Sequence, residues 1–207
     1  MNLWPPASCP FDEARSMLTD PPDNRLWCEG AARLVRVHVN QATFVGTIEQ
    51  ILLSDFCSAA LSHHVGDLVW AQDGSMYLSS GDGASFVGTD VGVRQDNCYV
   101  DDGPLLQGAF RSQHDEFLHG KVLRIYPEAL LVNRLLERDV DYTIIAKGLR
   151  NPFRISVDPV TFDVWVCDVG SDFAEEVNVI PNPLAQPAGA AIPNFGWPCF
   201  EGIYRLI

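Results

Sequence analysis

The sequence is poor in basic residues: 14 lysines and arginines stand against 27 aspartates and glutamates, and the formal net charge is -13. A surface of this sign repels phosphate backbones and anionic headgroups, so we expect no nucleic-acid partner and no general binding to acidic lipid. Long apolar runs are also missing, so no membrane span is expected. The composition is typical of a soluble protein, and some of its carboxylates could bind a hard cation such as Ca²⁺.

The cysteines lack the C-x-x-C spacing of a structural zinc site. They are Cys9, Cys28, Cys57, Cys98, Cys167 and Cys199. An even number at wide spacing favours disulfides in a secreted protein, although six buried thiols in a cytosolic protein are the alternative. The opening MNLWPPASCPFDEA has neither the basic nor the apolar region of a signal peptide. Secretion is therefore expected from the cysteines alone, with any leader outside this chain.

Alternation of apolar and polar residues predicts an all-β fold. Two hairpins are expected, over 67–83 with a turn at Asp73-Gly74 and over 153–170 with a turn at Asp158-Pro159. Further strands are predicted at 32–39, 47–54, 120–127, 142–146 and 175–180. Segments without this pattern are 1–31, a loop-rich part of an incomplete blade; 84–119, a Gly/Asp-rich connection; 129–140, a short helical signature; and 194–202, an aromatic loop.

The second hairpin resembles the first at an offset of 86 residues, since Asp82 corresponds to Asp168. The segment 120–127 likewise resembles 32–39. An all-β unit repeated at this distance predicts β-propeller blades of about 40–45 residues each. The strands suffice for three to four blades, so we expect a partial propeller over 32–207, truncated at its C-terminus.

Polar residues flank the two hairpins at equivalent positions. His63-His64 precedes the first, Arg150-Asn151-Pro152 precedes the second, and Asp82 and Asp168 follow them. Because ligands of propellers sit over the central channel, we expect a histidine and an arginine from different blades to face one substrate, as a base and a cation would.

Several motifs in order resemble the glucose/sorbosone dehydrogenase family. They are SHHVGDLVWAQDGSMYLSSGDGASF, GAFRSQ, GKVLRIYP, GLRNPFRISVDPVTFDVWVCDVGSDFAEEVNVI and NFGWPCFEG, spread from about residue 32 to 202. That resemblance implies a six-bladed β-propeller, often secreted. It also implies oxidation of an aldose or related sugar with pyrroloquinoline quinone (PQQ) and Ca²⁺, the electrons passing to an external electron acceptor.

The resemblance assigns a role to each flanking residue. It implies that His63 is the general base on the sugar hydroxyl while hydride passes to the quinone, and that Asp82 orients it. It places Arg150 beside cofactor and substrate, and has Asn151 hydrogen-bond the cofactor. The alternatives are a loop histidine satisfied by backbone, an Asp-Gly turn and a surface salt bridge.

For the metal, the resemblance implies calcium ligation by the backbone carbonyls of Gly170 and Ser171, with Glu176 near a structural calcium site. Ser171 stands where the family often has proline, and an exposed acidic strand entrance is the alternative for Glu176. The resemblance also implies a Cys57–Cys98 disulfide and, more weakly, Cys9–Cys28, while Trp197 would pack between blades.

Three functions are compatible with this sequence. The first is the quinone-dependent sugar dehydrogenase, or a piece of one that is inactive alone unless two chains form a dimer that completes one ring. The second is a non-catalytic propeller that binds carbohydrate or protein, as in hedgehog-interacting protein-like members. The presence of His63, Asp82 and Arg150 together favours the first over the second. The third is a calcium-dependent lactonase, which the G-x-R-N-P and SGDG motifs argue against.

Overall fold

The chain folds into antiparallel β-sheets, which confirms the predicted all-β class. The structure, a computed structural model, describes residues 30–58, 62–84, 108–127, 142–187 and 189–206. The strands within these residues are β1 Gly30–Val39, β2 Gly46–Ser58, β3 Val65–Trp70, β4 Met76–Ser80, β5 Lys121–Ile125, β6 Tyr142–Lys147, β7 Pro152–Val157, β8 Val164–Asp168, β9 Glu176–Ile180, β10 Phe200–Glu201 and β11 Tyr204–Arg205. A 3-10 helix, Gly108–Gln113, precedes β5. Across the described residues, no helix has the length and apolar character needed to cross a membrane.

Two sheets have the meander order of propeller blades. One joins β3, β4, β5 and β6, the other β7, β8 and β9, and each strand pairs antiparallel with the next in sequence. The 86-residue repeat falls on the first two strands of each sheet. The predicted β-propeller fold is therefore confirmed, with β1–β2 and β10–β11 forming separate two-stranded sheets. The bounds 32–207 and the truncation at the C-terminus stay predictions.

Some sequence predictions differ from the structure. The match of 32–39 with 120–127 is not a match of equivalent strands, because β1 belongs to a two-stranded sheet and β5 is third in a blade; the two segments share only the alternation that many strands have. The supposed loop 194–202 contains β10. The second hairpin turns over 158–163, with Phe162 at φ 62°, a wider turn than predicted. The segments 1–29 and 129–140 lie outside the described residues.

The core that places the site lies between the two blades. Val122 and Ala146 of the first blade and Val164 and Val166 of the second have no exposed surface. On β8 burial alternates strictly, so Asp168 follows the two valines on the inward face. Burial of each such aliphatic side chain contributes roughly 1.5–3 kcal/mol.

The first strands of the two blades, β3 and β7, lie against each other. A Cβ at Gly66 would lie 2.5 Å from the Pro152 carbonyl, so only glycine permits this approach. The Asp67 carboxylate accepts the Ile155 N–H at 3.2 Å across the same seam. This contact brings the residues before β3 next to those before β7.

Candidate active site

His63 lies just before β3, in a backbone conformation that residues other than glycine rarely adopt. Its φ is 52°, and the residue is only 8% exposed. The SGDG segment after β4 holds it: a Cβ at Gly81 would lie 2.3 Å from the His63 carbonyl, which accepts the Gly83 N–H at 3.2 Å. A histidine in the left-handed backbone region costs energy and persists only where its surroundings impose it. Such strained residues are characteristic of functional positions.

The carboxylate of Asp82 holds the His63 ring. Nδ1 of His63 lies 2.8 Å from Oδ1 of Asp82, and both residues are buried. Burial alone would raise the pKa of Asp82, but His63, the Ala84 N–H and the Arg150 charge hold it below its ordinary value. An ionised carboxylate accepts a proton-bearing Nδ1, and in the neutral imidazole the lone pair then lies on Nε2 of His63.

The neighbouring His64 is half-buried. Burial, together with the neighbouring His63, lowers the pKa of His64. It takes no part in the pairing with Asp82.

Arg150 belongs to the next blade and reaches the same place. Its carbonyl accepts the Asp82 N–H at 2.8 Å, which ties the SGDG segment to the GLRNP segment. Its guanidinium donates to the carbonyls of Val169 at 3.1 Å and Gly170 at 2.7 Å. Arg150 is 6% exposed, so it is a buried cation rather than the surface salt bridge of the alternative prediction. By contrast Arg154, on β7, is exposed.

Asp168 is a member of this site to which the sequence prediction gave no role. Its carboxylate accepts the backbone N–H of Arg150 at 3.0 Å and of Asn151 at 2.6 Å. Burial raises the pKa of Asp168 to about 7, although these two bonds oppose the rise. The repeat contained the signal: in each blade a carboxylate at or just after the end of the second strand binds residues that precede the first strand.

Trp197 joins the two halves of the site. Its indole N–H donates to Oδ2 of Asp82 at 2.8 Å, and the Arg150 guanidinium lies 5.3 Å from the ring centre. The sequence predicted packing between blades, and Trp197 does pack with Ala84 and Ala109. Its polar contact could not be foreseen because it joins residues 115 positions apart.

The segment 170–174 carries the carbonyls predicted to ligate calcium. Glu201, 2% exposed, accepts N–H groups from the four consecutive residues 171–174. Glu176 accepts the Gly202 N–H and the Asn178 amide, the latter at 3.0 Å. The sequence analysis missed Glu201, which lies in a segment predicted to be loop.

The oxygen atoms and the guanidinium near this segment are of the kinds that bind the Ca²⁺ and the quinone implied by the family resemblance. Carbonyl and carboxylate oxygens are ligands that Ca²⁺ accepts, and a guanidinium is a donor for quinone and carboxylate oxygens. One lone pair of the Gly170 carbonyl is already engaged by Arg150. The described residues contain no group of three or more His, Cys, Asp or Glu side chains placed for a metal, so the ligand roles of Gly170, Ser171 and Glu176 stay predictions.

The cysteines agree with the sequence analysis where the structure describes them. Cys57 is disulfide-bonded. Cys167 and Cys199, which neither predicted pairing includes, are free thiols. Cys98, Cys9 and Cys28 lie outside the described residues, so both predicted pairings stay predictions.

Comparison with known proteins identifies the family to which this chain is similar. A family model described as Glucose / Sorbosone dehydrogenase matches residues 27–204. Two Arabidopsis thaliana proteins, HIPL1 protein and HIPL2 protein, are 27% and 29% identical over 161 and 163 residues, which is 68% and 69% of this chain. Each alignment covers 19% of the relative, so this chain spans about a fifth of the length of those proteins.

Among solved structures, the soluble aldose sugar dehydrogenase of Escherichia coli in its apo-form is 18% identical with a TM-score of 0.49; the match covers 84% of this chain and 44% of that one. A second structure, of a glucose dehydrogenase, is 18% identical with a TM-score of 0.47 and covers 86% of this chain and 43% of that chain. The family match extends over most of the 207 residues and includes both blades and the residues between them. This chain therefore belongs to the glucose/sorbosone dehydrogenase family.

Proposed function

We propose that this chain carries the proton-accepting and cofactor-facing residues of a quinone-dependent sugar dehydrogenase. The observation that supports this most is the buried His63–Asp82 pair, 2.8 Å apart, tied through the Asp82 N–H to Arg150 of the next blade. A structural histidine would not need a strained backbone and an ionised partner.

Oxidation of a sugar hydroxyl removes a proton from oxygen and a hydride from carbon. Nε2 of His63 would take the proton, and the Asp82 carboxylate would stabilise the imidazolium that forms. When bound, PQQ would supply the two-electron acceptor for the hydride, to be reoxidised by an external electron acceptor. Arg150 and Asn151 would bind the oxygens of the cofactor, and the carbonyls of Gly170 and Ser171 would hold its Ca²⁺.

The Asp168 carboxylate has a supporting part in this proposal. Because it accepts both backbone N–H groups, it sets the direction in which the side chains of Arg150 and Asn151 leave the chain. The bond from Arg150 to Gly170 links the two proposed binding sets. Ligand binding to either set would therefore affect the other.

The test is sugar-dependent dye reduction by the chain supplied with PQQ and Ca²⁺, compared between the original sequence and His63→Ala. Loss of a general base lowers the rate by about 10²–10⁴-fold. His38→Ala, on the exposed end of β1, is the matched control and should keep the original rate. Equal rates for His63→Ala and the original chain would refute the assignment of the base.

A second function is favoured by one observation. The Arg150 guanidinium already donates a hydrogen bond to the Gly170 carbonyl. In this conformation the positive charge beside that carbonyl therefore comes from the protein. A non-catalytic propeller that binds carbohydrate or protein is the function this would suit. Sugar binding in calorimetry, without any dye reduction in the assay above, would support it over the dehydrogenase.

We also propose that the protein is secreted. The disulfide at Cys57 supports this, since such bonds persist in oxidising compartments.

A further inference from the structure

We propose that Trp197 is the positioning residue that locks the Asp82 carboxylate toward His63 and couples this pair to Arg150. The inference rests on the proposed function for its purpose, but its contacts are independent of any cofactor. It gives Trp197 a role beyond packing between blades.

The carboxylate of Asp82 divides its two oxygens between different partners. Oδ1 receives Nδ1 of His63 at 2.8 Å and the Ala84 N–H at 3.0 Å, and Oδ2 receives the Trp197 indole N–H at 2.8 Å. A carboxylate can rotate about its Cβ–Cγ bond, and with donors on both oxygens the rotation is blocked. Trp197 therefore helps to fix the plane of the carboxylate relative to the His63 ring.

The backbone of Trp197 is held by residues from two other parts of the chain. The Trp197 N–H donates to the Gly148 carbonyl at 3.0 Å, and its carbonyl accepts the Ser112 hydroxyl at 2.7 Å and the Gln113 amide at 2.5 Å. The residue is 4% exposed. The backbone bonds fix where the side chain starts, and burial restricts its rotamers, so donation to Asp82 costs little further entropy.

The same ring lies beside the cation of the site. The Arg150 guanidinium carbon is 5.3 Å from the ring centre, within the range of a cation–π interaction. One indole therefore contacts the carboxylate through its N–H edge and the guanidinium through its ring. Any shift of Trp197 would move both groups together.

The experiment removes only the N–H. Trp197 is replaced by β-(3-benzothienyl)alanine, which keeps the bicyclic ring, and separately by phenylalanine. The readout is the ratio of the two neutral tautomers of the His63 imidazole, measured from ring ¹⁵N chemical shifts. Trp165→Phe, on the half-exposed outer face of β8, is the control.

In the original chain, we expect the Nδ1–H tautomer to dominate. Both Trp197 variants should increase the Nε2–H population several-fold, because the freed carboxylate can turn away from the ring. A residue that only packs predicts no change for the benzothienyl variant, which fills the same space. An unchanged tautomer ratio in the benzothienyl variant would overturn the proposal, even if the ratio changed in the phenylalanine variant, because phenylalanine also alters the packing.

The outcome does not depend on the proposed function. A tautomer change in a chain that oxidises no sugar would support the positioning role while the dehydrogenase proposal fails. Dye reduction lost in His63→Ala, with an unchanged tautomer ratio in the benzothienyl variant, would support the dehydrogenase proposal while the positioning role fails.

Discussion

Replacing Glu201 by glutamine tests how the segment 170–174 is held beside Arg150. The Glu201 carboxylate accepts N–H groups from Ser171, Asp172, Phe173 and Ala174, and those of Asp172 and Phe173 lie 3.1–3.2 Å from its oxygens. Four consecutive N–H groups that converge on one anion form a nest, which suits a carboxylate and repels a second donor.

The magnitude follows from the number of bonds that an amide cannot make. A glutamine can turn its oxygen toward Ser171, Asp172 and Ala174, and its NH₂ then faces the Phe173 N–H. The variant loses one charge-assisted bond, worth roughly 1.5–3 kcal/mol, and weakens the others. We expect a loss of about 2–3 kcal/mol in the local opening free energy of this segment.

Hydrogen exchange of the four amides measures this directly. A loss of about 2–3 kcal/mol corresponds to exchange faster by roughly 30–150-fold, since each 1.4 kcal/mol is a factor of ten. Amides of β8, the neighbouring strand, should change little. Glu49→Gln, on the exposed part of β2, is the control for loss of one carboxylate. If the amides of 171–174 exchanged equally in Glu201→Gln and the original chain, the carboxylate would not be what holds the segment.

Two further predictions concern stability and covalent structure. The pKa of Asp168 rises from an ordinary 3.8 to about 7, so the folded state binds more protons than the unfolded state between these values. The free energy of unfolding should therefore fall by up to about 4 kcal/mol as the pH rises from about 4 to 7, and level off above 7. Asp168→Asn should lack this slope in urea denaturation at pH 5 and pH 8, and an equal slope in both proteins would assign it to another group. Peptide mapping without reduction should join Cys57 to Cys98; a Cys57 peptide linked elsewhere would show that the family resemblance misled the pairing.

The strands were accessible from sequence because alternation is a local property. The predicted hairpins agree within a few residues with the strands of the structure, β3 and β4 in the first and β7 and β8 in the second. The turn at Gly74 has the positive φ that Asp-Gly turns require. The wider turn at Phe162 was not predicted, because a phenylalanine at positive φ is imposed by its surroundings.

The members of the candidate site were predictable only in part. His63, Asp82 and Arg150 could be chosen because each borders a repeated hairpin, and the structure brings them together. Trp197 and Glu201 lie in a short aromatic segment without periodicity, and their partners are far away in sequence. Whether a polar atom in such a segment reaches a buried carboxylate depends on packing, which local patterns do not encode.

By itself, the sequence determined the all-β class, the blade repeat and the residue types at the hairpin ends, because hydrophobic alternation and turn chemistry act over a few residues. Only the tertiary structure decided which of those residues meet. The close approach at Gly66 sets β3 against β7, and that contact places the carboxylate of one blade beside the arginine of the next. Such a meeting depends on the packing of two sheets, a long-range property that no single segment of the chain contains.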